Sequence, residues 1–135
     1  NPSKARKTAM FIYALFPLLV LSAQSLGNYN MWFAVIIIGI AASAHQAWSA
    51  NIFSTVSDMF PRKAIASVTG IGGMAGAVGG ILIAKAAGML FDHFKALGDI
   101  RIGYGIMFVV CAVAYLLAWI IMHLLVPKFK KIELP

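Results

Sequence analysis

The stretch AHQAWSANIFSTVSDMFPRK, residues 44–63, follows one serine after the apolar run WFAVIIIGIAA, residues 32–42. Neither Gly nor Pro interrupts it before Pro61, so the helix begun by the apolar run continues through His45, Gln46, Trp48, Ser49 and Asn51. The combined segment, 31–59, exceeds the roughly 20 residues a helix needs to cross a bilayer. Each polar group in such a helix costs free energy unless it meets a partner, water or a ligand. At about 100° per residue, His45, Trp48, Ser49 and Ile52 share one sector, Trp48, Asn51, Thr55 and Asp58 a neighbouring one, and Ser43, Gln46 and Ser54 point elsewhere. Polarity over so much of the circumference is unsuited to lipid, so this helix is expected against protein or a wet cavity.

The rest of the chain has the same character. Of 135 residues 61% are hydrophobic and 11% charged, and the mean hydropathy is +0.89. Soluble domains are usually about 45–50% apolar and about 25% charged. Three more segments qualify as spans, 8–24, 66–90 and 103–126, giving an all-α membrane protein of four transmembrane helices. Turns are expected at SLGNYN, PRKAI and FDHFKALGDIR, and a kink at Pro17. No short apolar segment near the start precedes a small-residue cleavage site, so no cleaved signal peptide is expected. Cys111, the single cysteine, can form no disulfide within the chain.

Charge gives direction. Of eleven Lys and Arg, Lys4, Arg6, Lys7, Arg62, Lys63, Lys128, Lys130 and Lys131 fall on one side of the four crossings. Basic residues concentrate on the cytoplasmic face, which makes the chain a multi-pass protein with both termini cytoplasmic. The basic residues flank apolar runs and form no aromatic-spaced face, which argues against a nucleic-acid partner.

Several side chains have two readings. His45 either bonds a neighbouring helix or contacts substrate or a proton. Trp48 lies too deep for the interfacial belt and either stacks on a sugar or packs on a partner. Gln46 and Asn51 can read hydroxyls or join helices. Asp58 sits where the helix dipole disfavours a negative charge, and Arg62 and Lys63 are the cations expected to compensate it, as a turn-fixing pair or a gating pair. Gly72, Gly76 and Gly80 stack at four-residue spacing as a close-packing face, which can also slide. Lys85, the only basic residue well inside a span, is either near enough to its end to snorkel or placed near an anionic substrate or as partner to a carboxylate.

The stretch AHQAWSANIFSTVSDMFPRKAIASVTGIGGMAGAVGGIL, residues 44–82, resembles helices ten and eleven of the major facilitator superfamily, most of all the hexuronate and sugar-acid branch of its anion:cation symporter family. The resemblance implies a twelve-helix transporter of which this chain is a C-terminal fragment, helices nine to twelve, missing the N-terminal eight. It implies proton-coupled uptake of glucuronate or galacturonate by alternating access in the inner membrane, with the proton as coupling ion and no cofactor or metal. Helix ten lines the cavity in that family, which implies substrate contacts for Trp48, Asn51, His45, Gln46 and Ser49. The family's coupling carboxylates and substrate-binding arginines belong to the missing half, and no Asp or Glu lies deep in these four spans.

Within the resemblance, a symporter of another organic anion such as an aldonate is an alternative; apart from it, the residues leave a small four-helix membrane protein without transport function. Four-span exporters of cationic drugs need an embedded carboxylate, which is absent. His45 and Ser49 share a face without an oriented acid, so no catalytic residue is assigned and no enzyme is expected.

Overall fold

The computed structural model describes residues 2–132, which contain no strand. Helix α1 (Pro2–Leu15) passes into a 3₁₀ stretch (Phe16–Ser22) and then into a short α2 (Ala23–Gly27). The long helices α3 (Met31–Met59), α4 (Arg62–Ala96) and α5 (Ile100–Leu125) follow. Four helical runs are long and apolar enough to cross a membrane: Lys4–Gly27, Met31–Met59, Arg62–Ala96 and Ile100–Leu125.

The ends follow from local chemistry. Asn30 caps α3 by accepting from the Trp32 amide at 2.9 Å. Phe60 is extended (φ −104°, ψ 146°) because Pro61 follows it, and α4 begins one residue after that proline. At the far end of α4, Gly98 takes φ +84°. Its N–H donates to Lys95 O and that of Asp99 to Phe94 O, the paired bonds of a Schellman ending. Asp99 then caps α5 through the Arg101 amide at 3.2 Å.

Two expectations are revised. FDHFKALGDIR, residues 91–101, is not a loop: α4 runs through Asp92, His93 and Lys95 to Ala96, and only three residues separate it from α5. Polar residues alone do not stop a helix, whereas the left-handed Gly98 does. Pro17 does not simply bend the first run. From Phe16 to Ser22 the backbone tightens into 3₁₀ geometry around the proline, whose missing N–H cannot feed the α ladder.

The long helices alternate in direction. Near the chain's start Arg6 meets Asp58 of α3 and Lys7 meets Val126, just past α5. At the other end the Gln24 amide donates to Arg101 O at 2.8 Å, and Gly27 lies beside Ala34. Phe91 and Phe94 of α4 pack on Gly103 of α5. The first run is therefore held between α3 and α5, while α4 meets the others only near its two ends, residues 70–86 being exposed throughout. Met10, Ala14 and Trp48 form the core, with Tyr13, Tyr115, Leu116, Trp119 and Met122 against it. No residue of α4 is buried.

Candidate functional site

Twenty-nine residues at about 1.5 Å each make α3 about 43 Å long, against about 30 Å of hydrocarbon. His45 and Gln46 fall at its midpoint. The rotation of α3 is set by Ala44 and Trp48, each 6% exposed, which turn into the bundle.

That rotation separates the candidate residues. Trp48 meets Met10 and Ala14 and lies edge-on to Tyr115, with ring centroids 5.6 Å apart. Packing on a partner is thus the contact this side chain makes in the structure. His45, beside it, shares a hydrogen bond between Nδ1 and the Tyr115 hydroxyl. Their rings are 5.9 Å apart at 69°. A cavity of about 250 Å³ opens next to this pair, lined also by Pro17, Val20, Ile38 and Cys111. It is smaller than the roughly 300 Å³ at which ligand pockets begin, and does not include Gln46, Ser49 or Asn51.

The remaining polar groups of α3 divide into self-satisfied and open. Asn51 donates to Ala47 O at 2.9 Å, Thr55 to Asn51 O at 2.8 Å, and Ser43, Ser54 and Ser57 to the carbonyls four residues back. Such back-bonding lets a hydroxyl or amide sit in a helix without a neighbour. Gln46 has no such bond: it is exposed, turned away from the core, and makes no hydrogen bond among the described residues. Ser49 is half-buried at the margin of the same open side. By contrast, no buried side-chain nitrogen or oxygen among the described residues lacks a partner. The unmet polarity of α3 therefore lies on its outward face.

Asp58 takes a different partner from the one expected. Its Oδ2 pairs with Arg6 Nε, from a different span, and not with Arg62 or Lys63. The latter two are exposed in the first turn of α4. The sequence emphasises near neighbours, whereas the antiparallel packing of α1 on α3 brings residue 6 to residue 58. Arg6 offsets the unfavourable position of a carboxylate at a helix C-terminus.

Gly72, Gly76 and Gly80 lie on exposed surface, where an added Cβ would meet nothing within 4 Å. The strip has no partner among the described residues. Sequence reasoning missed Tyr115 and Cys111, which come to His45 only because α3 and α5 both pack on the first run and their side chains meet across it. The sole hint was that the apolar fourth span carries two such groups four residues apart. No three His, Cys, Asp or Glu side chains come together among the described residues. No family model, curated protein or solved structure matches this chain.

Proposed function

We propose that the chain is the C-terminal part of a proton-coupled carrier that imports hexuronates by alternating access, with α3 lining its aqueous route. The observation that carries the reading is Gln46: an amide at the midpoint of α3, exposed and without a partner among the described residues. An amide facing hydrocarbon unpaired costs several kcal/mol, by roughly the scale of water-to-cyclohexane transfer. Water in a pathway, or a ligand crossing it, removes that cost. The small and hydroxylated neighbours on the outward face of α3, Gly39, Ser43, Ala50 and Ser57, leave room for both.

In this reading Gln46, Ser49 and His45 meet the sugar acid, and Trp48 and Asn51 hold the helix that presents them. The Tyr115 hydroxyl fixes the His45 ring at the edge of the cavity beside them. Eight further helices, N-terminal to this chain, supply the opposite wall, the coupling carboxylate and the cations for the substrate carboxylate. The hexuronate class rests on the resemblance of residues 44–82, and the two-sided geometry on the general design of carriers that bind at the midplane.

The test is transport by the protein from its native gene, reconstituted in vesicles. Labelled glucuronate should accumulate when the outside is acidified, and equal uptake without the gradient rejects symport. Preference for galactonate over glucuronate moves the substrate to the aldonates. With Cys111 replaced by Ser, Gln46→Cys should react with a membrane-impermeant thiol reagent and be protected by substrate. A cysteine there that stays unreactive removes the aqueous route.

A further inference from the structure

At the basic end of the bundle, α1, α5 and residues 127–130 line a half-open cavity of about 520 Å³ that has no part in the route along α3. Its wall is aromatic. Trp119 is fixed there by its Nε1–H, which donates to Lys7 O at 3.0 Å. Phe11 packs on one side of that indole with ring centroids 4.9 Å apart, and His123 stacks on it, also at 4.9 Å. The floor is cationic. Lys7, 7% exposed, donates from Nζ to the carbonyls of Val126 and Pro127, with the Phe129 ring centroid 5.2 Å away.

The rim adds Lys4, Lys128 and Lys130, all exposed. Among the described residues no carboxylate lines the cavity or pairs with any of these three. Among the described residues, the positive charge of the cavity is therefore uncompensated, and it lies over an apolar wall.

We propose that this cavity binds the phosphate headgroup of an anionic membrane phospholipid. Lysines at the rim take the phosphate. The glycerol and first methylenes lie against Phe11 and Trp119, whose ring faces belong at the membrane–water boundary. A lysine-ringed pocket at the end of a helical bundle meets the headgroup layer directly, and basic pockets between spans on the cytoplasmic side suit acidic headgroups. The shared chemistry is a phosphate ester. Its source is taken to be lipid because the wall beneath the cations is hydrocarbon-like and the cavity opens where the bilayer surface lies.

The experiment is mass spectrometry of the intact protein, purified from its native membrane into detergent and offered phosphatidylglycerol or phosphatidylcholine of matched chains. Phosphatidylglycerol should stay bound and phosphatidylcholine should not. The triple substitution Lys4→Gln/Lys128→Gln/Lys130→Gln should weaken retention on the order of a hundredfold, the sum of three near-surface charges. These side chains are exposed, so the fold does not rest on them. Arg62→Gln/Lys63→Gln/Lys131→Gln removes the same charge at the same end outside the cavity and should retain the lipid nearly as the parent does. Equal loss in the two variants, or equal retention of the two lipids, overturns the proposal. Release of phosphatidylglycerol by added glycerol 3-phosphate also overturns it, by making a soluble phosphate the occupant.

Discussion

Trp48 and Gln46 are two residues apart, and the packing gives them opposite duties. Trp48 fills the centre of the three-way contact between α1, α3 and α5. Trp48→Ala should cost about 3–5 kcal/mol of stability, as large-to-small core changes do, measured by denaturation in detergent. Trp48→Phe should recover most of it. Loss of substrate affinity in Trp48→Ala with unchanged stability would instead return this ring to the substrate. Tyr115→Phe keeps the ring and removes the hydroxyl that meets His45. It should cost about 1 kcal/mol, the net worth of one hydrogen bond. The Arg6–Asp58 pair is partly exposed, with side chains 30% and 42% accessible, so solvent weakens it. A double-mutant cycle on Arg6→Ala and Asp58→Ala should give a coupling of about 0.2–1 kcal/mol. A coupling several times larger would mean that the pair bears on the stability of the whole bundle.

Among the elements, the turn from α4 to α5 turns on one backbone conformation. Gly98 sits at φ +84°, with nothing within 4 Å of where a Cβ would stand, so any penalty for a side chain there is conformational and not steric. Gly98→Ala should destabilise by about 1–2 kcal/mol. Hydrogen exchange should report it first at the Asp99 and Gly98 amides, which close the Schellman ending. An unchanged exchange pattern would mean that the turn has another way to form. The 3₁₀ stretch around Pro17 is seven residues long, where runs beyond three or four are uncommon. Contact with both α3 and α5 holds it, which is how the first run keeps its place between them.

Across the molecule, burial is uneven. The first run is gripped on two sides, while α4 extends 35 residues, about 52 Å, without one buried residue. Its Gly72, Gly76 and Gly80 strip offers a smooth face with open space above it. Gly76→Leu should therefore leave the secondary structure and the α1–α3–α5 core unchanged by circular dichroism. If the strip packs against helices outside this chain, the same change should abolish the transport proposed above, since a bulky side chain bars the close approach that small residues permit. Full transport by Gly76→Leu would leave that face to lipid.

Length and hydropathy are additive along the chain, so the sequence by itself determined the all-helical character and the four helices long and apolar enough to cross a membrane. Capping is equally local: Asn30, Pro61 and Gly98 mark their helix ends through side chain or backbone chemistry that needs no distant partner. The candidate site was less legible because rotation about a helix axis is not a local property. Polarity lay all round α3, so only the contacts of Ala44 and Trp48 with the first run could settle that Trp48 turns in and Gln46 out. The partner of Asp58 lay beyond sequence reasoning for the same reason. Arg6 is 52 residues away, and antiparallel packing brought it closer than the cations next in the chain. The lysine-ringed cavity arises likewise, from three segments that meet only when the bundle closes.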